Sequence, residues 1–218
     1  MTGVVVVRGL STRYGSTPVL RGIDFALSGG EIVGLLGRNG SGKTTLLRTL
    51  LGLARSDAGR VEWAGTGMGV PPETVDHFGG AHTLPPQVRA NTWVRLVSRG
   101  DAVCDDRRPV RALSRGSRQL LGLRAVLART GLDAVFLDEP WEGLDPDGGR
   151  WLTETLRRKR EEGCAFLVSS HRLHDLAALC DRYAFLHDGS LDVRPAADIA
   201  SGRVRGADLL RAFDRVES

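Results

Sequence analysis

The chain has 218 residues, 41% hydrophobic and 26% charged, with a formal net charge of +4. That composition suits one sizeable globular domain and excludes a disordered or fibrous chain. No stretch approaches the ~20 apolar residues of a membrane span, and residues 4–7 are too short for a signal-peptide core, so a soluble, cytoplasmic chain is expected.

The basic residues are 28 arginines and two lysines, Lys43 and Lys159, a skew that points to coding bias. The densest run, Arg157-Arg158-Lys159-Arg160, is followed at once by Glu161-Glu162. It reads as a solvated helix face rather than a DNA-binding stripe, and no nucleic-acid partner is expected. Cys104, Cys164 and Cys180 are odd in number and form no C-x-x-C pair. They read as reduced thiols, not as disulfides or a zinc site.

In chain order, 3–8 and 19–27 have strand patterns, separated by turn residues 14–18. A buried strand is expected over 31–36, then a Gly-rich loop at 37–45 and a helix over 45–53. Short strands at 60–63 and 74–78 lead into a loop holding Gly79-Gly80 and Pro85-Pro86. A helix over 90–98, an irregular stretch at 101–109 and a largely buried helix over 117–129 follow. The end of the pattern is a strand at 134–137, a charged helix at 147–162 and a strand at 165–169 running to His171. Strands alternating with helices predict an α/β fold around a mostly parallel sheet in three layers.

Residues 37–45 read Gly-Arg-Asn-Gly-Ser-Gly-Lys-Thr-Thr, a phosphate-binding loop between a strand and a helix. Gly37, Gly40 and Gly42 let the backbone turn tightly, so that its N–H groups, with those of Arg38, Asn39, Ser41 and Thr45, approach a polyphosphate. The helix behind it adds unpaired amides and a positive dipole end. Lys43 supplies a point charge for the outer phosphates, and the Thr44 hydroxyl a ligand for Mg²⁺.

Asp138 ends the apolar strand at 134–137, where a carboxylate can hold Mg²⁺ or its water shell, and Glu139 is placed to take a proton from an attacking water. His171 closes another apolar strand and can face a terminal phosphate, since parallel strands end along a common edge. His174 follows at i+3, but no third ligand is near, so a metal site of histidines is not expected.

These motifs together resemble the ATP-binding subunit of an ATP-binding-cassette (ABC) transporter, over nearly the whole chain. Residues 37–45 match the Walker A loop, 134–139 the Walker B strand with its catalytic glutamate, and His171 the switch histidine. Leu113-Ser114-Arg115-Gly116-Ser117-Arg118-Gln119 is similar to the signature Leu-Ser-Gly-Gly-Gln, and Glu142-Gly143-Leu144-Asp145 to the D-loop. Tyr14 falls where the family has an aromatic that stacks on adenine; simple packing is its other reading. The resemblance implies a P-loop NTPase with a RecA-like core, an antiparallel β subdomain and a helical lobe at roughly 85–130, in one domain.

It further implies ATP and Mg²⁺ as ligands, with Ser114, Arg115, Gly116 and Asp145 serving nucleotide across a head-to-tail dimer with a second copy. A separate membrane permease, of exporter type, would hold the subunit at the cytoplasmic face. A soluble ABC ATPase acting on ribosomes or DNA would carry two cassettes or a coiled-coil insert. A non-hydrolysing module is opposed by the intact Lys43, Asp138, Glu139 and His171.

The chain departs from the family pattern in three places. Arg115 and Ser117 replace a Gly and a Gln of the signature. Gly80 stands near the Q-loop glutamine, with Gln87 several residues late and His82 a candidate substitute. Only 34 positions separate Gly80 from Ser114, fewer than the family's helical lobe usually has.

Overall fold

The computed structural model describes residues 3–177 and 179–217. β1 (Gly3–Tyr14) and β2 (Thr17–Ser28) precede β3 (Ile32–Leu36), which feeds the Gly-rich loop and α1 (Lys43–Leu50). β4 (Ala58–Trp63), β5 (Gly67–Met68) and β6 (Val75–Phe78) follow. A 3-10 turn, Ala81–Thr83, then leads to α2 (Ala90–Val97), and a second, Val110–Ala112, to α3 (Arg115–Ala128). The chain continues as β7 (Ala134–Asp138), α4 (Pro146–Glu161), β8 (Ala165–Ser169), α5 (Leu173–Leu176), β9 (Arg182–His187) and β10 (Ser190–Pro195). It ends in α6 (Ala196–Ile199) and α7 (Gly206–Glu217).

Two sheets result. The antiparallel one has the order β2-β1-β4-β5, and the central one β10-β9-β3-β8-β7-β6, parallel except at β10. Alternate side chains of a strand point to opposite faces, and the central strands are apolar on both. Val135, Leu137, Phe166, Val168, Tyr183 and Phe185 meet the helices, including Leu123 and Val126 of α3 and Leu152 and Leu156 of α4. From the other face Val33, Leu35, Phe136, Leu167 and Leu186 meet α1 and the antiparallel sheet, through Leu46, Val5, Leu10, Phe25 and Trp63. Trp63 packs edge-on against Phe136, centroids 5.8 Å apart, at the seam between the sheets. The expected α/β architecture, with its antiparallel subdomain, is therefore present.

Cys164 and Cys180 are buried free thiols; burial pushes Cys164 up to about 12 and Cys180 up as well, so both stay protonated.

Some expected boundaries move, for physical reasons. β1 runs on past Arg8 to Tyr14, because its pairing with β2 shifts register between Val7 and Leu10 and again beyond. Gly9, at φ 59°, sits at that irregularity, and such a bulge breaks the alternation by which a strand is read. α3 begins at Arg115, two residues before the expected start, because Ser114 caps it by accepting the Ser117 N–H. Its inner face is not simply the leucines: Leu120 and Leu121 are half-buried, while Gln119 and Gly122 are buried beside Leu123 and Val126.

Gly122 lets α3 lie against the end of β6. A Cβ there would stand 2.2 Å from Cε2 and 2.6 Å from Cζ of the buried Phe78 ring. Overpacking of this kind costs about 1–3 kcal/mol, against a gain of at most ~1 kcal/mol in helix propensity from Gly to Ala. Gly122→Ala is therefore expected to lower the urea midpoint. A midpoint at or above wild type would show that the ring can move aside freely.

Candidate functional site

β8 lies between β3 and β7, and the register places Leu35 opposite Ser169 and Ser169 opposite Asp138. The segments that follow these strands, beginning at Gly37, Glu139 and Ser170, therefore leave the sheet along one edge, where parallel α/β sheets bind ligands.

The loop after β3 is shaped by missing side chains. A Cβ on Gly37 would lie 2.4 Å from Ser41 Oγ and 2.8 Å from the Leu186 carbonyl. Gly42 caps α1 at φ 104°, a conformation that favours glycine. The first N–H groups of α1 have no acceptor within the helix, and Ser41 Oγ is buried without a hydrogen-bond partner. Arg38, Asn39, Gly40 and Ser41 line an open cavity at the loop's outer side.

Lys43 is buried and donates from Nζ to the carbonyls of Gly37 (2.8 Å) and Arg38 (3.2 Å). Its Nζ is 4.0 Å from Glu139 Oε1. Burial lowers its pKa, while Glu139 and then Asp138 act the other way. Thr44 Oγ1 donates to Asp138 Oδ2 at 2.6 Å, joining the loop to the end of β7. Ser169 Oγ donates to the other oxygen of Asp138.

Glu139 has φ 47°, the left-handed region, rare and strained for a residue with a Cβ. Its N–H donates to Ser169 Oγ (3.0 Å) and to the Ser169 carbonyl (3.2 Å). Its Oε2 faces His171 Nδ1 at 2.8 Å and accepts the His171 backbone N–H at 3.2 Å. His171 is part-exposed, so one side of this pair is open.

Of the other candidates, Tyr14 presents an exposed ring at the end of β1, its hydroxyl 3.4 Å from Thr45 Oγ1. Ser114 spends its hydroxyl on capping α3 and on Ser117 Oγ. Arg115 pairs with Glu142, and Gly116 lies against the Gly143 carbonyl, 2.6 Å from where its Cβ would be. Asp145 caps α4 through the Gly148 N–H and lines a different cavity, with Trp141 and Arg150. A cavity of about 390 Å³ is lined by Thr44, Asp138 and Glu139 on one wall and by Gly80, His82, Arg115, Gln119 and Glu142 on the other.

The chain has two glutamines, Gln87 and Gln119. Gln87 bonds to Arg111 and lines none of this cavity. Gln119 reaches it from α3, with its amide committed to backbone groups. Gly80 lines this cavity, and His82 lies beside it. Sequence reasoning missed the parts played by Ser169, Gln119 and Glu142. Ser169 carried a signal as a polar residue closing an apolar strand, while Gln119 and Glu142 lay within the signature and D-loop segments with no role of their own assigned.

The profile of the ABC transporter family matches residues 20–142. The chain belongs to that family. It is an ABC ATPase, the ATP-binding subunit of a transporter. It is 37% identical over 212 residues to the zinc import ATP-binding protein ZnuC of Alkalilimnicola ehrlichii, spanning 90% of this chain and 79% of that one. It is 33% identical over 217 residues to the Nod factor export ATP-binding protein I of Ralstonia nicotianae, spanning 86% of this chain and 65% of the relative. A solved structure titled as the ATP-binding subunit of an ABC transporter superposes with a TM-score of 0.85. At 23% identity, over 99% of this chain and all of the other, it supports the fold. Relatives that import and relatives that export both match, so similarity alone assigns no direction.

The residues present fit a magnesium nucleotide. The glycine cradle, the orphaned Ser41 hydroxyl and the buried Lys43 suit a polyphosphate, and Thr44 with Asp138 offers two oxygens to a cation. Among the described residues no cluster of three His, Cys, Asp or Glu could hold a metal alone. Mg²⁺ bound with a nucleotide takes only one or two protein ligands besides phosphate oxygens. For this ABC ATPase, Lys43→Ala is expected to cost on the order of 2–5 kcal/mol of ATP affinity, as a buried charge facing phosphates is lost. Titration with a fluorescent ATP analogue measures it, and unchanged affinity would remove residues 37–45 from the site.

Proposed function

We propose that this subunit binds and hydrolyses ATP at the edge formed by β3, β7 and β8, and powers a permease carried on a separate chain. The convergence of Lys43, Thr44, Asp138, Glu139 and His171 carries this reading. No helix among the described residues is long and apolar enough to cross a membrane, which supports a transport path built by another chain, with this subunit on its cytoplasmic face. An export direction is supported only by the short segment between Gly80 and Ser114.

In the proposed mechanism the loop amides and Lys43 hold the β- and γ-phosphates, Lys43 exchanging its loop carbonyls for phosphate oxygens. Thr44 and Asp138 would hold Mg²⁺, which when bound would supply positive charge against the phosphates. Glu139 takes a proton from the attacking water, whose oxygen bonds to the γ-phosphorus as the bond to the bridging oxygen breaks, releasing ADP and phosphate. Base assistance of this kind contributes about 10²–10⁴ in rate. His171 orients Glu139 through Nδ1, and Nε2 can donate to the γ-phosphate only when both ring nitrogens carry a proton. Tyr14 offers a face to the adenine ring.

The α3 end, Ser114 to Gly116, and Asp145 are proposed to meet the nucleotide of a second copy of this chain, making ATP part of the dimer contact. Glu139→Gln keeps the shape and removes the base. It is expected to bind ATP normally, to hydrolyse it at least about 10²-fold more slowly, and to accumulate as a dimer with ATP and Mg²⁺ but not with ADP. Light scattering reads the mass; a monomer under both conditions would count against shared sites, while unchanged turnover would remove Glu139 from the chemistry.

A further inference from the structure

Gln119 is 3% exposed, and a polar side chain buried that deeply must find partners for its donors and acceptor. Its Oε1 accepts the Ala81 N–H at 2.8 Å. Its Nε2 donates to the Pro140 carbonyl at 3.0 Å and to the Glu139 carbonyl at 3.3 Å. One side chain on α3 thereby ties the backbone that follows β6 to the backbone that follows β7.

Both tied segments are conformationally unusual. Gly80, next to Ala81, has φ 98°, and Glu139 has φ 47°. Ser169 holds Glu139 from its N–H side, and Gln119 holds it from its carbonyl side. A left-handed residue with a side chain costs of order 1–3 kcal/mol and persists only where its neighbours over-determine it. Gly122, one turn further along α3, sets the helix hard against Phe78, so Gln119 is carried on a seat with little play. The same helix begins at the Ser114 cap.

We infer that Gln119 is a positioning residue for hydrolysis: it fixes the backbone that aims the Glu139 carboxylate, and links that aim to the placement of α3 and of the Gly80–Ala81 turn. The inference rests on Glu139 being the base. It assigns to a glutamine of α3, through backbone groups, the connection between helical lobe and catalytic edge that Gly80 has no side chain to make.

Gln119→Met keeps the length and volume of the side chain and removes its donors and acceptor. Steady-state kcat of the full chain is expected to fall roughly 10- to 100-fold, the scale on which small misplacements of a reacting group act. The ATP Kd, read with a fluorescent analogue, should stay within about two-fold of wild type, because the loop at 37–45 is untouched. Exchange of the Ala81 amide should accelerate. A kcat within about two-fold of wild type, or a loss of kcat matched by an equal loss of affinity, overturns the assignment. A wild-type chain without ATPase activity overturns the functional reading beneath it, a distinct result. If Q119M does not fold, the wild type decides. With only two glutamines, isotope labelling resolves the Gln119 side-chain amide, which must exchange slowly and shift when ATP and Mg²⁺ are added. A fast-exchanging or unresponsive amide overturns the proposal.

Discussion

The parallel pairing of β3 with β8 and of β8 with β7 puts Leu35, Ser169 and Asp138 in one row across the sheet, and everything at the candidate site is measured from that row. A slip of one residue would turn every side chain of the slipped strand to the opposite face. It would exchange Phe166 and Val168 for Ala165 and Leu167 against the helices, a misfit with the cores on both faces. Hydrophobic packing thus fixes the register, and the register fixes where Asp138, Glu139 and His171 emerge. The chemistry inherits its geometry from residues that take no part in it.

The electrostatics at this edge are balanced rather than additive. Lys43 is buried, which penalises its charge, and Glu139 and Asp138 offset part of that penalty. The carboxylates are themselves held by neutral donors: Thr44 and Ser169 at Asp138, the His171 backbone at Glu139. Such an arrangement stores no large net stability, since burying ions costs several kcal/mol each before their attraction repays it. Its value is pre-organisation. A phosphate entering the loop meets oriented donors and a cation already desolvated, so little rearrangement is left to the reacting state.

The sequence displayed the parts whose signals are local. β8 matches its expected span to the residue, and β3, β6 and β7 differ from theirs by one position, because short apolar runs bounded by turns or polar residues need no distant information. The Gly-Lys-Thr loop, Asp138-Glu139 and His171 stood out as residue types at strand ends. What stayed hidden depends on partners far along the chain. The length of β1 is set by bulged pairing with β2. The inner face of α3 includes Gln119 only because Ala81, Glu139 and Pro140 present backbone groups to it. A glutamine that follows Ser117 and Arg118, seen alone, reads as the solvent face of a helix.

The altered signature shows the same division from the other side. Ser114 and Gly116, the positions that keep the family's residues, have work inside this subunit: one caps α3, and the other lets the helix end approach Gly143, where a Cβ would collide with the carbonyl at 2.6 Å. Arg115 and Ser117, which depart from the pattern, are exposed. The Arg115–Glu142 pair is 67% and 49% exposed in its side chains, and exposed pairs of this kind are worth at most about 1 kcal/mol. Its guanidinium is therefore held loosely enough to be drawn to a stronger anion. The residues that differ from the family pattern lie where the subunit's own packing leaves room, and Arg115 places a cation beside the helix N-terminus, where the dipole already favours negative charge. The change of residue at this end is chemically consistent with anion recognition, because it strengthens the field there without disturbing the cap or the close backbone contact that set the helix end in place.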